Sequence, residues 1–499
     1  MARTAAAVLI WLAALSSRAL CESHHAGDLT LEPYSFRTFD GSAHPAELGR
    51  LWVRENRSGR SERLIQIAFV RLRSTAQKPQ PPVAFLAGGP GVPGIAMSRV
   101  PVYYQLFERL QAISDVILVD QRGTGMSSPN TECPEGPPPP LDVFVKESSF
   151  LDALTARVRA CADYWRAKGI DPADFNTSAS ADDLDDLRKA LGAGKISLLA
   201  HSYGTSLALA AVRRHPERLN RVVLAGTVGP DRTLQMPLVF DFALRRLSTM
   251  AANFPGVRGE FPDTYREFQR VLAQLAHDPL PVRMRNERAK QETDLKVGPF
   301  LLQFEVKDML PNGRRVGRIP ALVYSLAHRD PALLAASVEN LYIGFSSGFS
   351  AMQFAVSCSD GWSSARRQLA EEQASRSVFG DAAFVHLDPR VCGQAGGAQT
   401  QSESLAPIWS PVPTQFVTGT LDSNTPVYQA EEVLSGFANG VSVVIENGFH
   451  ETLPSPDVQR VVAEFLSGAD VRRGVIQFAP PRFLTIDEAK NTPQDAHGN

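Results

Sequence analysis

The chain has 499 residues, of which 43% are hydrophobic and 21% are charged, and its formal net charge is −2. This composition is that of an ordinary globular protein. A chain of this length is larger than a minimal domain with a single hydrophobic core, so we expect one large elaborated domain or two domains. A net charge this close to zero gives no reason to expect nucleic acid or an anionic membrane as a partner.

The N-terminus has the pattern of a secretory signal peptide. An arginine precedes an apolar segment over residues 5–15, and the Ser-Arg-Ala at 17–19 is typical of a cleavage site. The apolar segment is too short to span a bilayer comfortably. We therefore predict a signal peptide over 1–20 and an exported protein, periplasmic or extracellular. Arginine and leucine shortly before Cys21 disfavour lipid modification of that cysteine, and no later apolar run is long enough to cross a membrane.

Export would place the remaining cysteines in an oxidising compartment. There are four besides Cys21, namely Cys133, Cys161, Cys358 and Cys392. Four cysteines allow three pairings, and the sequence does not decide among them. Proximity along the chain favours Cys133 with Cys161 and Cys358 with Cys392.

The first part of the mature chain alternates predicted strands and helices. Predicted strands cover 36–39, 49–54, 64–73, 82–87, 115–120, 196–200 and 219–225. Predicted helices cover 150–166, 181–191 and 206–212. This alternation predicts a parallel sheet that is covered by helices on both faces.

A glycine-rich loop follows the predicted strand at 82–87. In Gly88-Gly89-Pro90-Gly91, backbone N–H groups can face a ligand without a side chain in the way. Pro90 has no N–H, so Gly89 is the candidate donor to an oxyanion. Such a loop can also serve only as a tight turn.

The loop after the predicted strand at 115–120 contains two charged residues, Asp120 and Arg122. Either could take part in catalysis. We favour a structural role, in which the two side chains pair with each other and lock the loop.

The next predicted strand and helix enclose a turn that is typical of a nucleophile elbow. Its sequence is Ala200-His201-Ser202-Tyr203-Gly204. In such a turn the serine is held in a strained conformation and its hydroxyl projects above the sheet. Gly204 has the small size that close strand–helix packing needs, and Ala200 is a tolerable departure from glycine. The pentapeptide alone could be a chance match, but its context predicts Ser202 as a nucleophile and the Tyr203 amide as an oxyanion donor.

Residues 231–407 differ in character from the chain on either side. Proline breaks and a basic stretch around 283–290 interrupt the region, and no clear buried strand is present. Predicted helices dominate it, at 240–250, 264–276 and 319–326. A helical insertion between sheet strands covers an active site and shapes substrate access. We therefore predict a helical cap over 231–407, between a first core part at 28–230 and a second at 408–499.

The second core part carries two loops with polar chemistry. A predicted strand over 414–418 runs into a turn that contains Asp422. A strand over 440–445 leads to a glycine-bearing loop with His450, and a helix follows at 456–466. An acid directly after a core strand is well placed to orient a histidine.

Ser202, Asp422 and His450 therefore follow one another in the chain order of the α/β-hydrolases. A serine hydroxyl is a poor nucleophile at neutral pH and needs an imidazole base, whose tautomer and cation a carboxylate stabilises. Each residue also has an ordinary alternative, as a turn former or a surface loop residue. Because each follows its own core strand in the required order, we predict a Ser-His-Asp triad.

Five short motifs are distributed over most of the mature chain. They are AGGPG at 87–91, DQRGTGMS at 120–127, HSYGT at 201–205, GTLDSNTP at 419–426 and NGFH at 447–450. Together they resemble the prolyl iminopeptidase and tripeptidyl aminopeptidase group of α/β-hydrolases. The resemblance implies a mostly parallel central sheet with an inserted helical cap, and an exported serine exopeptidase that acts at the free N-terminus of peptides. Ala87 and Ala200 depart from the iminopeptidase pattern, which weakens the case for proline specificity.

An aminopeptidase needs a carboxylate in the cap to compensate the desolvated ammonium of its substrate. The segment with Glu339 resembles the one that iminopeptidases use for this purpose, although it could equally be a solvated helix face. Asp360, beside Cys358, is a rival anchor. A carboxylester hydrolase would use the same triad without an anchor, and the intact triad argues against an inactive binding protein.

The ten histidines show no H-E-x-x-H or similar spacing. We therefore expect no metal site, and the sequence implies no cofactor. The expected partner is a peptide with a free N-terminus. Oligomeric state and the number of residues released stay open.

Overall fold

A computed structural model describes residues 24–232, 235–286, 291–395 and 402–492. The predicted signal peptide over 1–20 and Cys21 lie outside these ranges. The predicted basic stretch at 283–290 lies partly outside them.

Ten strands form one large sheet. Two further strands, β8 and β9, pair only with each other. In chain order the twelve strands of the described ranges are β1 Leu29–Arg37, β2 Ala43–Arg54, β3 Leu64–Leu72, β4 Gln80–Leu86, β5 Ser114–Val119, β6 Ile196–His201, β7 Leu219–Ala225, β8 Leu280–Asn286, β9 Gln291–Val297, β10 Thr414–Gly419, β11 Gly440–Glu446 and β12 Gly474–Gln477. The large sheet has the order β1-β2-β3-β5-β4-β6-β7-β10-β11-β12. Pairings among β1, β2, β3 and β5 are antiparallel, and those from β5 to β12 are parallel. The predicted fold class, a mostly parallel α/β sheet, is confirmed.

The helices fall into two groups, those that accompany the sheet and those inserted between β7 and β10. The first group is α1 Gly94–Met97, α2 Pro101–Gln111, α3 Glu147–Ala167, α4 Thr177–Ala190 and α5 Tyr203–Arg214, with α15 Val427–Leu434, α16 Pro456–Ser467 and α17 Ile486–Asn491. The second group is α6 Pro237–Asn253, α7 Thr264–His277, α8 Pro299–Met309, α9 Ile319–Ala327, α10 Ala335–Ser347, α11 Ala351–Asp360, α12 Ser364–Ala374, α13 Pro389–Cys392 and α14 Ser402–Leu405.

Apolar side chains of the central strands alternate between two buried faces. In β4, Ala84 and Leu86 belong to the cluster that α4, α5 and α15 cover. Val83 and Phe85 belong to the opposite cluster, which α2 and α16 cover. Both faces of these strands are buried, which explains why their sequences are continuous apolar runs.

The region between β7 and β10 has a hydrophobic cluster of its own, built largely from α6 to α10, α12 and the β8–β9 pair. The prediction that this region has no buried strand is wrong, because β8 and β9 form an antiparallel hairpin. Val282 and Val297 are fully buried, whereas Arg283 and Asp294 are exposed and pair across the hairpin. The strands were missed because their exposed charged residues mask the alternation of period two. We keep 231–407 as the proposed extent of the cap.

The chain returns to the cap after β12. Phe483 and Ala489 pack in the cap's hydrophobic cluster. The Arg318 guanidinium donates hydrogen bonds to the carbonyl oxygens of Ala489 (2.7 Å) and Thr492 (3.0 Å). The last described helix, α17, is therefore attached to the cap rather than to the sheet.

Two disulfide bonds are present, Cys133–Cys161 and Cys358–Cys392. They are the pairs that proximity along the chain favoured. The bonds close loops of 28 and 34 residues, respectively. The second lies within the inserted region and joins α11 to α13.

Asp120 and Arg122 are both buried, but the predicted pair between them is wrong. Asp120 accepts hydrogen bonds from the N–H groups of Ile95 (2.8 Å) and Met126 (2.7 Å). Arg122 instead pairs with Asp183 on α4 through two hydrogen bonds of 2.7 Å, and it donates to neighbouring main-chain carbonyls. Backbone donors already satisfy the Asp120 carboxylate, so Arg122 is free to join the loop to α4. Both residues hold loops in place, through different partners.

Candidate active site

Ser202 lies in the turn between β6 and α5. Its φ of 55° and ψ of −126° lie in a region that residues other than glycine rarely adopt. Its N–H donates to the Ala225 carbonyl at 2.9 Å. Its carbonyl accepts from the Thr205 N–H at 2.8 Å and from the Thr205 hydroxyl at 2.6 Å. These bonds hold the backbone in the strained turn that the sequence predicted.

Glycines permit the close packing around this turn. A Cβ at position 204 would lie 2.2 Å from the Leu86 carbonyl oxygen, so only glycine fits where α5 meets β4. A Cβ at position 88 would lie 2.9 Å from Cβ of Ser202. The glycine-rich loop after β4 therefore touches the serine directly.

The two predicted oxyanion donors both lie near Ser202. Tyr203 is the next residue in the chain, and Gly89 belongs to the glycine-rich loop that contacts the serine. Tyr203 is the first residue of α5, so its N–H has no partner within the helix. Gly89 has φ +107° and follows Gly88, the residue that contacts Ser202. The sequence reasoning did not single out Gly88, because every glycine of that loop has the same signal.

His450 and Asp422 are hydrogen-bonded to each other. His450 Nδ1 lies 2.8 Å from Asp422 Oδ2. Thr425 supports the same carboxylate, with its hydroxyl 2.5 Å from Oδ2 and its N–H 3.0 Å from Oδ1, and the Asn424 N–H lies 2.9 Å from Oδ1. Burial alone would raise the pKa of Asp422, but the His450 ring and these donors hold the pKa below its usual value. Asp422 is therefore a buried, ionised carboxylate.

The His450 ring lies at the carboxyl end of β7, the strand next to β6. A Cβ at position 226 would lie 3.1 Å from Cε1 of His450. Burial opposes protonation of the ring, but the Asp422 carboxylate raises the pKa of His450 above its usual value. The His450 N–H donates to the Pro311 carbonyl at 3.0 Å, which fixes this loop against the inserted region. Ser202, Asp422 and His450 thus lie at the carboxyl ends of strands in one stretch of the sheet.

Three further polar residues adjoin this constellation. His201 Nε2 lies 3.3 Å from the His450 carbonyl oxygen and 3.5 Å from Glu451 Oε1. The Tyr103 hydroxyl donates to the other oxygen of Glu451. Sequence reasoning missed these contacts, because His201 and Glu451 flank the predicted residues without a spacing signal of their own.

Asp360 ends α11 close to the Tyr203 side chain. It is 8% exposed, and its Oδ1 has no hydrogen-bond partner among the described residues. Burial raises the pKa of Asp360 to about 7, which the neighbouring Thr177 hydroxyl offsets only in part. Thr177 also lies 3.0 Å from the Tyr203 hydroxyl. Asp360 lines a cavity that extends to Val228 after β7.

Glu339 lies half-buried on α10, a helix that packs against β8 of the cap hairpin. Within the described ranges, no hydrogen bond or ion pair joins its carboxylate to Ser202, Asp422 or His450. The two candidate anchors thus have different surroundings, and Asp360 is the one beside the residue that follows the serine.

The structure describes residues 24–232, 235–286, 291–395 and 402–492. In these ranges no three His, Cys, Asp or Glu side chains are grouped so that they could hold a metal ion. Nor does any helix of the same ranges combine the length and the apolar character that crossing a membrane requires.

Comparisons with known proteins agree with this geometry. The family model described as alpha/beta hydrolase fold matches residues 81–455. The chain is 28% identical over 172 residues to the putative hydrolase YuaR of Escherichia coli, 29% over 173 residues to the serine protease Hip1 of Mycobacterium tuberculosis, and 28% over 179 residues to the tripeptidyl aminopeptidase of Streptomyces coelicolor. These matches cover 33–34% of this chain and 32% of each relative, so the chain matches about a third of their length.

Proposed function

Because the chain belongs to the α/β-hydrolase family, we propose that it is an exported serine hydrolase, and within that class an aminopeptidase that acts at the free N-terminus of peptides. One observation carries the first part. A serine in a strained strand–helix turn lies at the same sheet edge as an imidazole that is hydrogen-bonded to a buried carboxylate. The names of the partial relatives, a serine protease and a tripeptidyl aminopeptidase, support the second part.

In the proposed reaction the Ser202 hydroxyl attacks the scissile carbonyl while His450 accepts its proton. Asp422 holds the imidazole in the tautomer with Nδ1 protonated and stabilises the cation that forms. The N–H groups of Tyr203 and Gly89 would donate to the oxyanion. His450 then gives the proton to the leaving amine, and water releases the acyl group from Ser202 by the reverse sequence of proton transfers.

Asp360 is the better-supported anchor for the substrate's ammonium. Asp360 is buried and one of its oxygens has no hydrogen-bond partner in the described part of the chain, so its charged form is destabilised and a cation delivered by the substrate would be bound strongly. Asp360 lies beside the side chain of Tyr203, and the Tyr203 N–H is one of the two proposed oxyanion donors. Glu339, half-buried on α10, remains the second candidate.

A carboxylester hydrolase is the alternative, and one observation favours it. With a pKa of about 7, Asp360 is about half neutral at physiological pH and can remain buried without a cation. In that case the cavity at Asp360 would accept an uncharged group.

The triad is tested by Ser202→Ala. We expect a loss of turnover on the order of a million-fold with an unchanged circular dichroism spectrum, because the hydroxyl performs the chemistry and contributes little packing. Ser467→Ala, on the exposed surface of α16, is the matched control and should retain wild-type turnover. Wild-type turnover by purified Ser202→Ala would remove the assignment.

Substrate class is tested with chromogenic amides of one, two and three residues, each with a free and a blocked N-terminus, beside short-chain esters. The aminopeptidase proposal expects cleavage of the free amides only, and the length of the best amide gives the number of residues released. Equal cleavage of blocked amides, or of esters alone, would favour the alternative.

Export has its own test. Two disulfides support an oxidising compartment. When the full chain is expressed in a bacterial host, we expect the mature N-terminus to lie close to residue 21, in the fraction outside the cytoplasm. An uncleaved N-terminus on cytoplasmic protein would contradict this part of the proposal.

A further inference from the structure

A cluster of three polar side chains, those of His201, Glu451 and Tyr103, adjoins the backbone of His450, the proposed base. His201, the last residue of β6, and Glu451, directly after His450, lie 3.5 Å apart through Nε2 and Oε1. His201 Nε2 is also 3.3 Å from the His450 carbonyl oxygen. The Tyr103 hydroxyl of α2 donates to Glu451 Oε2. These contacts connect the residue before the serine to the residue after the histidine.

The charge state of this group follows from its surroundings. Burial lowers the pKa of His201, which is 2% exposed, so its ring is neutral. Nε2 faces two acceptors and must carry the hydrogen, while Nδ1 has no partner in the described part of the chain. Partial burial acts to raise the pKa of Glu451, but the His201 N–H, the His450 ring and the Tyr103 hydroxyl hold the pKa below its usual value. Glu451 therefore keeps its negative charge.

We propose that Glu451, held in place by His201 and Tyr103, is a positioning residue that favours the protonated form of His450 in addition to Asp422. The proposal rests on the proposed function, in which His450 is the base. Asp422 acts on the ring through Nδ1, whereas Glu451 acts through space and through the His201 contact with the His450 backbone. Two carboxylates then share the stabilisation of the imidazolium.

The other charged groups near His450 do not cancel this field. The ring of His201 packs against that of His450 with centroids 5.0 Å apart, and it is neutral. Arg314, in the cap segment that adjoins this loop, acts on Tyr103, whereas the charged groups that act on the His450 ring are Asp422 and Glu451. The Glu451 side chain is 43% exposed, so solvent and salt screen it more than they screen Asp422. The effect of Glu451 should accordingly be moderate and dependent on salt.

The experiment is the pH dependence of serine labelling by a fluorophosphonate, which needs no knowledge of the substrate. Labelling rises as His450 becomes neutral, so its midpoint follows the pKa of His450. At low salt we expect Glu451→Gln to lower the midpoint by about half a pH unit, with Glu451→Asp close to wild type. Raising the salt should lower the wild-type midpoint towards that of Glu451→Gln. Glu464→Gln, on the exposed side of α16, is the control and should leave the midpoint unchanged.

A second measurement separates this inference from the proposed function. The pKa of the His450 ring can be followed by NMR with labelled histidine in Ser202→Ala protein, where no turnover is required. We expect Glu451→Gln to lower that pKa by the same amount as the labelling midpoint. If wild-type protein does not label at Ser202, the proposed function fails, whereas the NMR titration still tests Glu451.

Three results would overturn the inference. One is an unchanged midpoint and an unchanged His450 pKa in Glu451→Gln. Another is an equal shift in Glu464→Gln, which would mean that net charge alone is responsible. The third is a higher KM for free-amine peptides in Glu451→Gln with no change in midpoint, which would make Glu451 a substrate contact instead.

Discussion

Asp422 and Asp360 are both buried carboxylates, 4% and 8% exposed, yet their protonation differs. Four hydrogen bonds reach Asp422, from two N–H groups, the Thr425 hydroxyl and His450, and they hold its pKa below the usual value although burial acts the other way. Asp360 has one oxygen without a partner in the described ranges, and burial raises its pKa to about 7. Burial alone therefore does not decide the charge of a carboxyl group, because a neighbouring cation and hydrogen-bond donors can outweigh it.

The donors come from different kinds of structure. Asp422 lies in a turn after a central strand, where successive backbone N–H groups of the turn point inward at the carboxylate. Asp360 lies at the C-terminal end of α11, where exposed carbonyls rather than N–H groups are found. The protein's own donors complete the first site, whereas a proton or a cation completes the second.

The largest expected effect comes from Asp422→Asn. The amide cannot hold His450 in the required tautomer or stabilise its cation, so we expect kcat to fall by about 10⁴-fold on esters and amides alike. Asp360→Asn is the matched comparison and should retain ester turnover. Steady-state kinetics on a small neutral ester measure kcat for both variants. An equal loss of kcat in the two variants would contradict the different roles assigned to Asp422 and Asp360.

The next effect concerns stability. Because burial raises the folded-state pKa of Asp360 from 3.8 to about 7, the folded protein holds a proton there that the unfolded chain releases above pH 4. Wild-type stability therefore falls between about pH 4 and pH 7. Asp360→Asn removes this penalty, so we expect it to raise the free energy of unfolding by up to about 4 kcal/mol at pH 8 and to change little at pH 4. Thermal or urea unfolding at the two pH values checks this, and a gain of equal size at both would contradict it.

Removing the Cys358–Cys392 bond tests whether the disulfide holds Asp360 in position at the end of α11. The bond closes a loop of 34 residues and is anchored two residues before Asp360. We expect Cys358→Ala with Cys392→Ala to lower the free energy of unfolding by about 3–4 kcal/mol. The double variant should also reduce the preference for free over blocked amides more than it reduces ester turnover. Unchanged preference after loss of the bond would mean that the end of α11 is held by packing alone.

The smallest effect is on substrate binding. Asp360→Asn should lower kcat/KM for free-amine peptides by about 30-fold, equivalent to about 2 kcal/mol, with little change on a neutral ester. Glu339→Gln is the parallel variant. A selective loss in Glu339→Gln and none in Asp360→Asn would move the anchor to α10, and no loss in either would favour the esterase alternative.

Much of the sheet could be predicted because each central strand is marked by its own local sequence pattern. β6, β7, β10 and β11 are short apolar runs bounded by turns, and the predicted limits agree with the structure to within one residue. The hairpin of β8 and β9 was missed because exposed charged residues such as Arg283 and Asp294 interrupt the apolar pattern of its strands. The short edge strand β12 was missed as well, since four residues with alternating exposure give too weak a pattern.

The candidate site divides in the same way. Ser202, Asp422 and His450 each follow a core strand inside a recognisable motif, so the sequence could select them. The contact of Glu451 with His201 joins positions 250 residues apart, and nothing in either local sequence indicates it. The pairing of Arg122 with Asp183 rather than Asp120 was unpredictable for the same reason, because it depends on where α4 packs.

The attachment of α17 to the inserted region limits how that region can move. The chain passes between sheet and cap after β7, before β10 and again after β12, and Arg318 and Phe483 secure the last passage. A layer tethered at several points has little freedom to rotate as a rigid body about any one of them. We therefore expect entry to Ser202 to depend on rearrangements of side chains and short loops rather than on rotation of the whole inserted region.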